Sequence, residues 1–138
     1  MTHLTAFDQA FEQCPLVAIL RGVKPDEVEE IGEVLVDRGI GLIEVPLNSP
    51  QPFESIARLA RRFSDRAVVG AGTVLTEADV ARVRDAGGQL IVSPNTDAVS
   101  ASVSGVDDSS SPCSAARTWC TPWPSSCASV ITSRGLPR

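Results

Sequence analysis

A carboxylate inside an apolar strand is costly unless it is paired or neutral. The sequence places one there: Glu44, in the run "LIEVPLNSP" from Leu42 to Pro50. Burial raises a carboxyl's pKa toward the working pH, which suits a general acid or base. Paired with Arg21 from the neighbouring strand, Glu44 would be only a buried ion pair. Arg21 follows the apolar run "PLVAIL" (15–20). Its planar fork suits a carboxylate or phosphate, and Glu44 itself is the competing partner. Thr73 follows Gly72, where the missing side chain lets a ligand approach the backbone; its competing use is as a helix cap. Asn48 and Ser49 follow the strand that holds Glu44. Ser93, Pro94 and Asn95 follow another apolar run, where they either meet a substrate or only turn the chain. Lys24 is the sole lysine among 12 basic residues, and just before Pro25 it reads as a solvated loop charge.

The elements that must position these residues repeat. Leu4, Phe7 and Phe11 stand at helical spacing. After the strand at 15–20, Pro25 is expected at the first position of a helix, with Asp26 and Glu27 complementing its dipole. Val28, Ile31 and Leu35 form its inner stripe and Gly39 ends it. "GLIEVPL" (41–47) is the second strand, and Phe53, Ile56, Ala60 and Phe63 stripe the next helix. "AVVGAG" (67–72) is the third strand, and Thr76 with Asp79 resembles a capping box opening a helix closed by Gly87-Gly88. "QLIVS" (89–93) is the fourth strand. Apolar strands alternating with amphipathic helices make an α/β fold with a helix-covered parallel sheet. It is either a doubly wound open sheet or part of a (β/α)8 TIM barrel, here about four βα units. In either, the C-terminal strand ends and the loops after them gather Arg21, Glu44, Asn48, Thr73 and Pro94 on one rim. "GAG" (70–72) runs into Thr73-Val74-Leu75, so the dinucleotide fingerprint fails.

The 138 residues make one domain with a net charge of −5, which does not indicate a nucleic-acid or anionic-membrane partner. No apolar run approaches the roughly 20 residues of a membrane span, and "MTHLTAFDQAFEQ" has no signal-peptide pattern, so the cytoplasm is expected. His3 is the only histidine, and Cys14, Cys113, Cys120 and Cys127 include no C-x-x-C pair. Neither a metal site nor a disulfide framework is expected. Residues 1–99 form the periodic region; 100–138 are an irregular tail of Ser, Pro, Thr and Cys in which no period persists. Disorder is one reading of that tail. The other starts from the excess of Arg over Lys, a mark of GC-rich coding DNA, which read out of frame yields such a composition. On that reading 100–138 are frameshifted.

"AILRG" (18–22), "IEVPLNSP" (43–50), "VGAGTVL" (69–75) and "LIVSPN" (90–95) stand in the order and spacing of a known family. Over residues 4–99 the chain resembles the first half of the bacterial 2-keto-3-deoxy-6-phospho-sugar aldolases. The resemblance implies a (β/α)8 barrel, usually a homotrimer, and class I aldol chemistry through a lysine imine without a cofactor or metal. The substrate implied is a phosphorylated keto acid cleaved to pyruvate and glyceraldehyde 3-phosphate. Asn48-Ser49-Pro50 is similar to the 6-phosphogalactonate branch; the 6-phosphogluconate branch, the alternative, usually carries Arg-Thr there. Carried over, Glu44 would be the general acid/base and Arg21 would bind the substrate carboxylate. Thr73 and Pro94 would line the pyruvyl pocket, and Asn48 is the substrate-binding position that marks the branch. The family's imine lysine lies in a Lys-Phe-Pro-like motif on the sixth strand, which this sequence does not contain. The expectation is therefore a truncated, inactive, self-associating chain, with a non-catalytic half-barrel or pseudogene product as the rival reading.

Overall fold

The protein's structure, a computed structural model, describes residues 6–93 and the backbone of 116–119 and 128–132. Four strands run parallel in chain order: β1 (Val17–Ile19), β2 (Leu42–Pro46), β3 (Val68–Gly72) and β4 (Leu90–Ser93). The helices are α1 (Ala6–Gln13), α2 (Val28–Asp37), α3 (Pro52–Arg62) and α4 (Glu77–Asp85). Every residue of β2 and β3 is buried, which is why these strands read as continuous apolar runs and not as an alternation.

Side chains of successive strand residues point to opposite faces, and the two faces carry separate cores. Ile43, Val45, Val69, Ala71 and Ile91 pack against Val28 of α2, Ile56 and Leu59 of α3 with Phe63 at its C-cap, and Val80 and Val83 of α4. Leu42, Val68 and Leu90 pack against Phe7 of α1. The three crossover helices thus share one face of a sheet whose strands follow chain order. A doubly wound sheet would split them between two faces, so the arrangement is that of a barrel wall. Glu44 lies on the other face, the one that α1 covers, in register with Ile19 of β1 and Gly70 of β3.

The helix ends follow local sequence chemistry. Gly39 has φ +85, its N–H bonds the Val36 carbonyl at 3.0 Å, and the Ile40 N–H bonds that of Leu35 at 3.0 Å. Gly87 repeats this at α4 with φ +87, Gly87 bonding Arg84 and Gly88 bonding Val83. Both are Schellman stops, which need a residue at positive φ. At the start of α4 the Thr76 hydroxyl accepts the Asp79 N–H at 3.1 Å and donates to the Asp79 carboxylate at 2.8 Å. The second bond joins two side chains, whereas a full capping box returns to the cap's own N–H.

Three expectations shift. The α-helix opens at Val28, and Pro25–Glu27 form a preceding turn in which the Lys24 carbonyl accepts the N–H groups of Glu27 and Val28, both at 3.1 Å. Ile31 is 39% exposed and not part of the inner stripe. The reason is Gly32: a Cβ there would stand 2.7 Å from both Leu59 and Phe63, so α2 presses its backbone onto α3 and turns Ile31 outward. Finally, β5 (Ala116–Trp119) and β6 (Ala128–Thr132) extend the sheet in the order β4-β6-β5, both pairings antiparallel. The side-chain pattern beyond Val99 predicts no regular element; these pairings are made by backbone groups, which that pattern does not report.

Candidate active site

Glu44 is 6% exposed, and among the described residues no hydrogen bond or ion pair engages its carboxylate. Its place is made by Gly72. A Cβ on Gly72 would overlap the Glu44 carboxylate, with Oε2 at 3.0 Å, so the side chain leans along the strand and lies across the bare end of β3. Sequence reasoning assigned that glycine to the approach of a ligand; the structure gives the space to Glu44. The available signal was register: a glycine at the end of β3, one strand over from a buried carboxylate.

Burial pushes the Glu44 carboxyl above its usual range, and the positive charge of Arg21 pulls the other way. Loss of solvation outweighs the cation because Arg21 is exposed and makes no contact ion pair with Glu44. The buried ion pair weighed from the sequence is therefore not formed. What remains is a mostly buried carboxyl whose pKa is raised, with an exposed guanidinium acting on it through space.

The other candidates sit around this pair. Thr73, directly after Gly72, is exposed and has φ +58, a conformation that β-branched residues rarely adopt. Such strain persists only where surroundings over-determine it, and it clusters at functional sites. Asn48 is exposed in the loop after β2. Its neighbour Ser49 is buried, and the Ser49 Oγ accepts the Gly22 N–H at 3.0 Å, joining the loop after β2 to the loop after β1. Ser93 ends β4 fully buried, and Pro94 lies outside the described residues. The structure thus gathers Glu44, Arg21, Gly72, Thr73, Asn48 and Ser49 at the C-terminal ends of β1–β3. Lys24 is exposed in the loop after β1, where its N–H meets the Glu27 carboxylate at 3.3 Å. A cleft of about 150 Å³ between α1 and Ser64–Val68 opens at the other end of the strands, away from these groups. Among the described residues no group of three His, Cys, Asp or Glu could hold a metal ion, and no helix is long and apolar enough to cross a membrane.

This carboxylate, rim arginine and strained threonine on a parallel βα wall coincide with what comparison finds. The family model for KDPG and KHG aldolases matches residues 7–107. The chain belongs to this family. A probable 2-dehydro-3-deoxy-6-phosphogalactonate aldolase of Rhizobium meliloti (strain 1021) is 51% identical over 83 residues, which are 60% of this chain and 39% of that protein. The 2-dehydro-3-deoxy-6-phosphogalactonate aldolase of Escherichia coli (strain K12) is 46% identical over 81 residues, 59% of this chain and 40% of that protein. The chain thus spans about two fifths of the length of these relatives. Among solved structures, the KDPG aldolase of Legionella pneumophila, with pyruvate captured at low pH as a covalent carbinolamine intermediate, superposes with a TM-score of 0.62. It shares 26% identity and the match covers 68% of this chain and 46% of that one. The fold expected from the sequence, the first βα units of an aldolase barrel, is the fold found.

Proposed function

We propose that this chain carries the acid–base and carboxylate-binding half of a class I aldolase site for 2-dehydro-3-deoxy-6-phosphogalactonate, whose products are pyruvate and glyceraldehyde 3-phosphate. The observation that carries the reading is Glu44: buried, unpartnered and pushed toward the protonated form at the C-terminal end of a barrel strand. Such a carboxyl can give a proton to the hydroxyl leaving the carbinolamine and take one from the substrate hydroxyl as the C–C bond breaks. Arg21, free of a contact ion pair, offers its fork to the substrate carboxylate. By the family resemblance Thr73 and Pro94 would line the pyruvyl pocket, and Asn48 is the substrate-binding position that marks the galactonate branch. The galactonate choice rests on Asn48-Ser49-Pro50 and on the names of the two relatives.

Imine formation needs an unprotonated amine held in a desolvated pocket beside the carbonyl. Lys24, the sequence's only lysine, is exposed and has no such pocket. These 138 residues therefore hold the keto acid's carboxylate end and the proton relay, without forming the imine themselves. We place the aldolase-barrel unit at 1–99 and read 100–138 as a frameshifted segment, of which β6 pairs onto β4 and β5 onto β6. The chain is read as cytoplasmic and self-associating, in a family read as homotrimeric. Borohydride reduction with pyruvate, followed by peptide mass spectrometry, tests the proposal. No adduct on Lys24 and no aldol cleavage above background are expected, while pyruvate protects the Arg21 segment from an arginine-directed reagent. A stoichiometric pyruvyl adduct on Lys24, or no protection at Arg21, refutes it.

A further inference from the structure

The last ladder bond between β1 and β2 runs from the Leu20 N–H to the Glu44 carbonyl, at 2.9 Å. Arg21 comes next and would swing with its loop unless something beyond that rung fixed the backbone. Packing does not fix it at Gly22, which has φ +78 and nothing within 4 Å of where a Cβ would stand. On the α2 side the chain is held again at Val23, buried in the core with Val28, and at Lys24, whose carbonyl accepts the Glu27 and Val28 N–H groups, both at 3.1 Å. Between these two anchors the bond from the Gly22 N–H to the Ser49 Oγ, at 3.0 Å, is the one adjacent to Arg21. Ser49 can serve as a fixed post because it is itself held: it is 6% exposed, and its N–H is tied to the Pro46 carbonyl at 2.9 Å in the turn that ends β2.

We propose that Ser49 is a positioning residue for the site: through its Oγ it holds Gly22, and with it the guanidinium of Arg21, at a set place above Glu44. Glu44 sits on β2 and Arg21 in the turn after β1, and they form no contact ion pair, so their spacing is set by the backbone segments that carry them. Ser49 crosslinks those segments at the rim. The consequence is a division of labour within "NSP": exposed Asn48 is available to substrate, and buried Ser49 keeps the carboxylate-binding arginine in place. The inference rests on the reading of Glu44 and Arg21 as the working pair. Its test does not require the chain to cleave an aldol.

The readout is the titration of Glu44 itself. The neighbours in register with it, Ile19 and Gly70, and Gly72 beneath its carboxylate are uncharged, and Arg21 is the charge that acts on it. With glutamate 13C-labelled at the carboxyl, the Glu44 signal is identified by its loss in Glu44→Gln and followed with pH in the full chain. Arg21→Ala sets the upper limit, since removing the cation raises the midpoint. Ser49→Ala is expected to raise it part of the way, Ser49→Thr to leave it unmoved, and Ser49→Ala with Arg21→Ala to match Arg21→Ala alone. A wild-type midpoint in Ser49→Ala, with a raised one in Arg21→Ala, overturns the role of Ser49. So does full additivity in the double variant. An unmoved midpoint in Arg21→Ala overturns the working pair itself, a separate failure. If Ser49→Ala does not unfold cooperatively, Ser49→Cys, with the same shape and a poorer acceptor, is read against the same limits.

Discussion

Replacing Glu44 by Gln should make the protein relatively more stable as pH rises. Glutamine keeps the shape of the side chain lying across Gly72 and removes the ionisation. The folded Glu44 carboxyl titrates above its ordinary value of 4.5, chiefly because burial removes its solvation. Between the unfolded and folded values the native state holds a proton that the unfolded chain has lost. Wild-type stability therefore falls with pH across that window, by up to about 1.4 kcal/mol per pH unit for one proton. The contribution of Glu44 is fully present below 4.5 and is lost as pH rises through the folded value. Glu33 runs the other way: hydrogen bonds from Arg66 and Arg62 lower its pKa, so its contribution is lost as pH falls. That contribution is common to both proteins and cancels in the difference. Urea unfolding of wild type and Glu44→Gln at five pH values from 4.5 to 8.5, followed by circular dichroism, gives the difference directly. Its slope should favour Gln above pH 4.5 and flatten once the folded carboxyl has ionised. Arg21→Ala should carry the falling region to higher pH in wild type and change nothing about it in Glu44→Gln. A difference that does not vary with pH would mean that Glu44 is solvated. A slope of opposite sign would mean that its anion is stabilised by a partner, and the acid–base reading would fail.

Gly72→Ala should evict the Glu44 carboxylate from its recess, returning its carboxyl 13C midpoint toward the ordinary value at an overpacking cost of about 1–3 kcal/mol; a midpoint at the wild-type position counts against the space argument. Phe63→Ala empties a site that is 1% exposed and should lose about 3–5 kcal/mol in urea unfolding, a large share of an ordinary domain's stability. Gly39→Ala and Gly87→Ala should each lose about 1 kcal/mol for a left-handed conformation. Gly87 should lose more, because its new Cβ meets that of Ala60 at 3.2 Å where Gly39 faces open space, and the reverse order in unfolding midpoints would refute the packing account.

The wall of the barrel was legible in the sequence because its causes are local. Apolar runs bounded by Gly39 and Gly87 fix four strands and their crossovers, and Glu44 stood out because a charge in such a run has no packing reason to be there. The divergences arise where long-range contact decides. Ile31 sits at a perfect helical spacing, yet Gly32 draws the α2 backbone against Leu59 and Phe63 and sends Ile31 to the surface. A glycine in a helix reads as a weakness, and only the partner helix reveals it as the point of contact. The site shows the same limit. Periodicity carries Arg21, Glu44 and Thr73 to one rim, but it cannot tell whether Arg21 and Glu44 touch. They do not, and that separation is why burial prevails over the cation in raising the Glu44 pKa. Nor does spacing reveal that Gly72 makes room for a side chain two strand positions earlier on the next strand, or that Ser49 reaches back 27 residues to Gly22. A sequence pattern reports which way residues face; the distances between facing residues are set by the small ones, Gly32, Gly72 and Ser49, whose effect exists only across the gap they close.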